Sequence, residues 1–506
     1  MPLQDILSMN TTQRYSVESG TMQIAIIFST LLLAVLIGIG VGADIYMVAA
    51  PLALVFPAVY LLMRPAISLL FFTGLTLAIA GTLKYFFGLG QFQWGLSILG
   101  AALLGYALLH KMFSHENKRT PSDWLAPPIL LWWAVLLFST AANALPAMDW
   151  LVGLRIYLPV FGVFAYLAYC RPNEKLLKFI LLFVLAIASI QWIFCLYQKL
   201  QVVPIRIASH FPGSPWDSIV GTFGGEKFGG GESGSLGIYL SIVLVLVAAL
   251  KKYGQIGTFR AGIVFVTCFG AMALTESKVI AVMIPLGCFL VYRDYAFKQP
   301  VKFFAGAVAV GGLMLALLVV YYYLYWQTDN RLGVIDALYG RFAYSFDPNF
   351  QASTTNLGRI KSLIFWWDKH GILDNPLTLL LGHGLSSAVS ASSIIGEGIA
   401  VKRYGVMLDV TGASKLLWES GFIGLTAFLL IFVIGFFRAG QLKNRPLVPA
   451  WHRAAMSGVE AAMVLMPLSI FYEVTVVSSP PMQFMAMFFL GYIAYWWRET
   501  SGARLV

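Results

Sequence analysis

Uninterrupted apolar segments recur along most of the chain, and this feature constrains its fold more than any other. A helix needs about 20 apolar residues to cross the hydrocarbon core of a bilayer. Only 11% of the 506 residues are charged, and the mean hydropathy is +0.78. A soluble protein of this size needs more charge than this to cover its surface. We therefore expect an all-α polytopic membrane protein in contact with a lipid bilayer.

We predict about fourteen transmembrane helices, one for each apolar run. The predicted spans are 22–41, 44–63, 66–83, 90–109, 126–145, 150–169, 177–197, 234–250, 259–276, 279–293, 301–325, 414–437, 455–474 and 480–497. The first run follows a polar leader without a convincing small-residue cleavage site, so we expect a retained helix rather than a signal peptide. The chain then divides into N-terminal transmembrane helices (1–197), a first outer loop (198–233), central transmembrane helices (234–325), a large outer loop (326–413) and C-terminal transmembrane helices (414–506).

The positive charge of the chain is distributed as a membrane topology signal. The net charge is +11, and most Lys and Arg residues lie in short loops beside apolar segments. If every span alternates, six basic loops fall on one side, which is cytoplasmic by the positive-inside rule. The two long polar loops then face outward, and nucleic acid is not an expected partner. The four cysteines lie in or beside apolar runs without ligand spacing, so we expect neither a disulfide nor a metal from them.

The first outer loop contains a glycine-rich run, 224–231, that includes Lys227. The G-x-x-x-x-G-K-[ST] order of a phosphate loop is missing, which argues against an NTPase. Consecutive glycine N–H groups can still cradle an anion, with Lys227 as a point charge. A flexible return into the membrane is the alternative interpretation.

Ionisable residues near predicted span ends are further candidates. Thr275-Glu276-Ser277-Lys278 stands where one span should turn back into the next, and an ionisable pair at that depth is by default a functional candidate. Snorkelling of Lys278 to the interface is the alternative. Glu460 and Glu473, both in the predicted span 455–474, are expected to be structural partners of neighbouring helices.

The large outer loop carries the remaining candidates. Arg341 and Arg359 have the planar fork that grips a diphosphate in a bidentate manner. His383, between two glycines, is either a catalytic base or a turn residue. Asp409 precedes the returning helix, as an anion at its N-terminus or as a general base. Neither loop contains an H-x-x-x-H, D-x-D or C-x-x-C pattern, so the sequence predicts no metal and no other cofactor.

The order of motifs N-x-G-R, W, N-P-L, L-G-H-G, D and E-S-G-F-I-G-L resembles the O-antigen ligase and Wzy polysaccharide polymerase family. The earlier stretches G-T-F-G-G, G-S-L-G-I-Y-L and L-T-E-S-K are similar to the segments that precede the large loop in that family. The resemblance covers roughly residues 200–430. Each motif alone is loose, and the specificity comes from their order and topology together.

The resemblance implies a GT-C-like fold and a metal-independent glycosyltransferase in the bacterial inner membrane, multi-pass and with its active site facing the periplasm. Such an enzyme moves a glycan from an undecaprenyl-diphosphate carrier to an acceptor hydroxyl. A chain-length regulator and export proteins are further candidate partners. The implied catalytic residues are Arg359, Arg341, Asp409 and His383, and the implied diphosphate-binding residues are Lys278, Arg206 and Lys227.

One departure from the family pattern distinguishes its two activities. Ligases carry a histidine followed by Asn, Ser or Gln, with nine residues before the G-x-x-G. Counting back from Gly421, those positions hold Val410 and Thr411. The departure favours a polysaccharide polymerase over ligation to another acceptor. A lipid-linked oligosaccharide flippase or another transporter, and a structural subunit of a secretion complex, are the alternatives from other classes.

Overall fold

The computed structural model describes residues 64–90, 92–114, 124–211, 214–227, 231–326, 339, 342–343, 345–351, 353–371 and 375–502. The regular secondary structure of this part is entirely helical. The helices are α1 (Pro65–Phe87), α2 (Phe92–Phe113), α3 (Ala126–Ala142), α4 (Ala147–Cys170), α5 (Glu174–Ala208), α6 (Ser233–Lys252), α7 (Thr258–Thr275), α8 (Ile280–Lys298), α9 (Pro300–Tyr325), α10 (Arg359–Lys369), α11 (Pro376–Leu381), α12 (Ile399–Tyr404), α13 (Gly412–Leu442), α14 (Ala450–Ser469), α15 (Thr475–Ser478) and α16 (Pro480–Gly502).

The predicted class of an all-helical polytopic membrane protein is confirmed for this part of the chain. Every predicted span from 66 onward coincides with a helix, and nine of the described helices are long and apolar enough to cross a membrane. The spans 22–41 and 44–63, with the retained first helix, lie outside the described residues. The total of fourteen helices and the GT-C-like arrangement stay predictions.

The first polar loop begins later than the predicted boundary at 198. Helix α5 continues to Ala208 through a π-helical turn, Gln198–Val202. The polar Gln198 suggested a loop, but its amide is buried and saturated by the returning chain. Its Nε2 donates to the carbonyl of Gly221 at 2.9 Å, and its Oε1 accepts from the Gly221 N–H at 2.8 Å. A buried polar side chain with its hydrogen bonds satisfied is compatible with a helix interior.

The core of the bundle is formed by α4, α6, α14 and α16. In its most apolar stretch α6 is 89% buried, whereas the corresponding stretch of α9 is 11% buried. Helices that are apolar all round belong in a core or in lipid. We therefore place α6 at the centre, with α7, α8 and α9 at the periphery of the described bundle.

The two ends of the bundle differ in chemistry. At one end, here called the loop end, the first polar loop contacts the helix from which the large loop departs: the Trp216 ring lies 4.7 Å from the ring of Tyr325, the last residue of α9. At the other, here called the basic end, buried Glu460 accepts hydrogen bonds from Arg293 at 2.7 Å and from Lys443 at 2.5 Å. Glu460 thus joins α8 to the end of α13, the structural role expected for it.

Candidate functional site

The central helix of the loop end is broken. Within α13, Gly421 has φ 62° and ψ −167°, a conformation that is essentially restricted to glycine. Gly382, which follows α11, has φ 75° and ψ −165°. A Cβ on Gly421 would lie 2.4 Å from the carbonyl oxygen of Leu380, and one on Gly382 would lie 2.6 Å from the Gly421 nitrogen. The L-G-H-G and E-S-G motifs therefore meet at a backbone crossing that only glycine permits.

The chain after this crossing, residues 382–389, forms a re-entrant segment that is buried along its whole length. The break at Gly421 frees carbonyls of α13, and this segment satisfies them. The His383 N–H donates to the carbonyl of Trp418 at 2.7 Å, and the Gly384 N–H donates to that of Glu419 at 2.9 Å. Irregular backbone that is buried in protein is stable only when its polar groups find hydrogen-bond partners.

Helix α3 holds the opposite side of the re-entrant segment. The Ser139 hydroxyl donates to the carbonyl of Gly382 at 2.9 Å, and the Leu385 N–H donates to the Thr140 hydroxyl at 2.9 Å. Both hydroxyls are buried. The segment is thus fixed between two helices, which holds its only titratable side chain, His383, in one place.

His383 forms a pair with a histidine that sequence reasoning missed. Its Nε2 lies 2.9 Å from Nε2 of His370, whose Nδ1 lies 2.9 Å from the carbonyl oxygen of Trp366. The His383 ring stacks on Trp418 at 5.6 Å between centroids. Burial, together with the nearby His370 and Arg403, lowers the pKa of His383 to about 4. Burial also lowers the pKa of His370, so both rings are neutral near pH 7.

A second group missed by sequence reasoning lies deeper in α13. Glu419 is fully buried and accepts a hydrogen bond from the Tyr157 hydroxyl through Oε2. Its Oε1 lies 4.0 Å from Nζ of the equally buried Lys415 and has no hydrogen-bond partner within the described residues. Ionisable groups inside a membrane span are functional candidates by default. The signal in the sequence is the pair Lys415 and Glu419, two opposite charges at i,i+4 beside an apolar run.

Asp409 lies between the re-entrant segment and the start of α13, and it acts electrostatically on Glu419. Its Oδ1 accepts from the Ser390 hydroxyl, and its Oδ2 accepts from the Ser390 N–H at 3.2 Å. Asp409 precedes the start of α13, where Thr411 caps the helix by accepting from the Ser414 N–H at 3.1 Å.

Arg359, the first residue of α10, lies in a built cradle at the loop end. Its Nε donates to the carbonyl of Tyr472 at 2.7 Å, and its guanidinium lies 4.0 Å above the Tyr472 ring. Nη1 donates to the Ser345 hydroxyl at 3.1 Å, and Nη2 is 3.7 Å from the Glu473 carboxylate. These contacts fix the plane of the guanidinium, unlike the free rotation of a surface arginine.

Glu473 belongs to this cradle rather than to a helix interior, where it was expected to pair structurally. Helix α14 ends at Ser469, and Glu473 lies in the turn that follows. The pKa of its carboxyl is raised to about 7, chiefly by burial and also by Glu232 and Asp217, while Arg359 opposes the rise. Gly234 permits the approach, because a Cβ there would lie 2.9 Å from a Glu473 oxygen.

The other predicted cations surround the same carboxylates. Arg206 is buried, with 2% of its surface exposed. Although the Asp217 side chain reaches solvent, partial burial raises the pKa of its carboxyl, Glu276 raises it further, and Arg206 and Lys278 lower it. Since Asp217 also acts on Glu473, the predicted residues Arg206, Lys278 and Arg359 share one electrostatic environment.

The predicted site residues therefore fall into two groups. Arg359, Arg206 and Lys278 lie around the outer carboxylates, whereas His383 and Asp409 lie beside the re-entrant segment. Arg359 and His370 stand at opposite ends of α10, about 16 Å apart along its axis at 1.5 Å per residue.

Two predicted residues are not assigned to either group. Lys227 lies half-buried in the turn after the buried stretch 221–225, and Arg341 lies outside the described residues, as do glycines 229 and 230. Within the described residues, no three His, Cys, Asp or Glu side chains are grouped to hold a metal ion.

Comparison of the sequence with known protein families and with curated proteins finds no match. The assignment of function therefore depends on the order of the motifs and on the geometry of these two groups.

Proposed function

We propose that the protein is a polysaccharide polymerase of the Wzy type. It transfers a glycan from an undecaprenyl-diphosphate carrier to an acceptor hydroxyl of another lipid-linked repeat unit. The reaction takes place at the periplasmic face of the bacterial inner membrane, which corresponds to the loop end. The enzyme is a metal-independent glycosyltransferase in which protein cations stabilise the leaving diphosphate.

The observation that carries this proposal is the cradle of Arg359. Negative charge grows on the diphosphate as the bond to the anomeric carbon breaks, and a pre-oriented guanidinium stabilises that charge without reorganising. Tyr472 and Ser345 set this orientation through hydrogen bonds of 2.7 and 3.1 Å. Nη2 faces Glu473 at 3.7 Å, a weak contact that a phosphate oxygen can replace.

Glu473 gives the cradle a way to exchange partners. Because the pKa of its carboxyl is raised to about 7, a large share of the molecules carry a proton there at neutral pH. A protonated Glu473 no longer competes for Arg359, so the arginine can bind an anion. Arg206 and Lys278 add positive charge to the same environment, and Lys227 is the predicted further contact.

The acceptor hydroxyl must give its proton to a base as it attacks. Asp409 and His383 are the two candidates near the re-entrant segment. The Arg359 cradle and this segment lie at opposite ends of α10, so in the proposed reaction the donor diphosphate and the acceptor approach from the two ends and must meet at one anomeric carbon between them.

A lipid-linked oligosaccharide flippase is the second candidate function. The interrupted helix α13 and the buried Lys415–Glu419 pair favour it, because transporters use broken helices and ionisable groups within the membrane. The fixed cradle of Arg359 at the loop end favours the polymerase, since a carrier that only moves its substrate needs no oriented group for a leaving diphosphate.

The two functions differ in their products. The purified protein, reconstituted in vesicles, is given lipid-diphosphate oligosaccharide extracted from cells that lack the protein. A polymerase gives a ladder of lengthened glycans and releases one undecaprenyl diphosphate for each bond formed. Transfer of unchanged substrate across the vesicle membrane, without any lengthening, would overturn the proposal and support the flippase.

A further inference from the structure

The His370–His383 pair contains enough contacts to fix the position of its protons. A carbonyl oxygen cannot donate, so His370 Nδ1, 2.9 Å from the Trp366 oxygen, must carry a hydrogen. In the neutral ring, His370 Nε2 is then the acceptor. The Nε2–Nε2 contact of 2.9 Å needs one hydrogen, which must come from His383. His383 therefore keeps its lone pair on Nδ1.

The surroundings leave that lone pair available. No described residue forms a hydrogen bond with His383 Nδ1. His383 is 8% exposed and His370 only 1%, so the pair opens outward on the His383 side. Asp409, the other candidate base, differs in this respect because Ser390 already donates to both of its carboxylate oxygens.

We infer that His383 is a base of fixed tautomer, with Nδ1 as its proton-accepting atom, and that His370 is the positioning residue that holds it in this form. The inference rests on the proposed function only for the identity of the proton donor, the acceptor hydroxyl. Asp409 then orients the re-entrant segment through Ser390 rather than receiving the proton.

The proton balance is complete within the pair. As the acceptor O–H bond breaks, its proton bonds to His383 Nδ1, and its oxygen bonds to the anomeric carbon. The electron pair of the broken anomeric C–O bond leaves with the diphosphate. The Nε2 proton of His383 can move to His370 Nε2, which places the charge on a ring whose Nδ1–H faces the Trp366 carbonyl.

The surroundings of the pair act on a transient positive charge in opposite directions. The Trp418 indole stacks on His383 with 5.6 Å between centroids, where its π face favours an imidazolium, and it meets His370 in an edge-type contact with 4.6 Å between centroids. Of the charged groups that face the pair, Arg403 acts on both rings and favours their neutral resting form. The Tyr404 ring lies 6.4 Å from His383.

Histidine ring nitrogens report this arrangement directly. The chain has six histidines. Nitrogen-15 labelling of histidine in the full-length protein, with assignment by loss of one signal per variant, gives the tautomer of each ring by NMR. At pH 7.5 we expect the Nδ1–H form for His370 and the Nε2–H form for His383, with a scalar coupling across the N–H···N bond. The opposite tautomer in either ring, or a cationic ring at this pH, overturns the inference.

Two variants of His370 separate positioning from packing. His370→Gln retains an acceptor oxygen for the His383 Nε2–H, whereas His370→Phe fills the space without one. We expect His370→Phe to give a mixed His383 tautomer and to lower kcat at least about tenfold with little change in KM, in line with the usual worth of a general base. His370→Gln should restore the single tautomer and most of kcat.

Another buried histidine provides a matched control for the His370 variants. His452→Gln changes another buried histidine, at the basic end, where it bonds the Tyr492 hydroxyl at 2.7 Å, and should leave kcat unchanged. Equal kcat in His370→Phe, His370→Gln and the native chain, or equal loss in both variants, overturns the positioning role. If the native chain forms no polymer at all, the proposed function fails, and the tautomers still decide the inference about the pair.

Discussion

At the scale of single residues, Arg359 provides the most direct test of the proposed reaction. Arg359→Lys keeps the charge but cannot reach Tyr472, Ser345 and a phosphate together, so it should impair polymerisation strongly. Arg359→Ala should lower kcat by about 10²–10³-fold, the usual effect of losing one transition-state donor. Polymer length and rate in the reconstituted assay measure both effects.

The control lies two positions along the same helix. Lys361 bonds the Gln351 side chain at 2.9 Å on a different face of α10, so Lys361→Ala should polymerise normally. Since Arg359→Ala also leaves the Glu473 carboxylate without its cation, the double variant with Glu473→Gln separates lost stability from lost catalysis. Near-normal polymer from well-folded Arg359→Ala would contradict the assignment.

The neutral state of His383 makes stability depend on pH. Its pKa is about 4 in the folded protein and about 6.5 in an unfolded chain, so the unfolded chain binds more protons between these values. The stabilisation is fully present above pH 6.5 and is lost as the pH falls towards 4, by about 3 kcal/mol in total. Thermal unfolding in detergent should show a flatter acid dependence for His383→Gln than for the native chain.

Comparison of the native chain with His383→Gln is essential, because Glu473 changes the stability of the protein with pH in the direction opposite to His383. Its raised pKa of about 7 gives stabilisation that is present below about pH 4.5 and is lost as the pH rises towards 7. A His383→Gln protein whose acid dependence equals that of the native chain would contradict the depressed pKa.

The sequence predicted single residues where a polar side chain stood out against its neighbours. Arg359, His383 and Asp409 were found in this way. Their contact partners were not predicted, because these contacts form only in the tertiary structure. His370 contacts His383 only after α11 folds back. Glu473 was assigned to a span because apolar residues surround it, whereas Gly412 and Ala413 pair with the turn that contains it.

At the scale of secondary-structure elements, the glycine crossing predicts a sharp difference between glycines. Gly421→Ala should destabilise the protein, by about 1–3 kcal/mol for the backbone conformation alone and by more because the new Cβ meets the Leu380 backbone at 2.4 Å. Gly105→Ala, within α2 and with open space around it, should be neutral or slightly stabilising. Thermal unfolding and membrane yield compare the two, and equal stability would contradict the crossing.

Helix positions were predictable because a span must be long and apolar, a constraint that acts locally. The break inside α13 was not predictable in this way, and the predicted span 414–437 runs through it without interruption. The structure begins that helix at Gly412 and breaks it at Gly421. The break is stable because the re-entrant segment supplies two backbone donors, which no local pattern records.

At the scale of the whole molecule, the topology predicts opposite accessibility for the two ends. Cysteine at Ser353, on the loop end, should react with an impermeant reagent from outside right-side-out vesicles. Cysteine at Lys251, on the basic end, should react only in inverted vesicles. Gly229 was also predicted to face outward, and cysteine there tests a position outside the described residues. Labelling of Ser353→Cys in inverted vesicles alone would overturn the orientation.

A second prediction for the whole molecule concerns metals in the proposed reaction. Since the proposed reaction uses Arg359 and neighbouring cations to stabilise the diphosphate, polymerisation should continue in excess chelator. Incorporation of labelled repeat units with and without chelator measures this. Loss of activity that magnesium or manganese restores would contradict a metal-independent mechanism.

The burial of residues 382–389 also bears on how the chain is assembled during synthesis. The hydrogen bonds from this segment to Ser139, Thr140 and Asp149 join residues 243, 245 and 237 positions apart. Contacts between residues so far apart in the sequence cannot form while the early helices leave the ribosome. The Thr140 hydroxyl donates to the Leu136 carbonyl within its own helix, whereas the Ser139 hydroxyl donates to Gly382, a partner that emerges much later. Maturation of this protein then includes a late docking step, and a nascent chain halted before residue 382 would lack the segment that packs against α3.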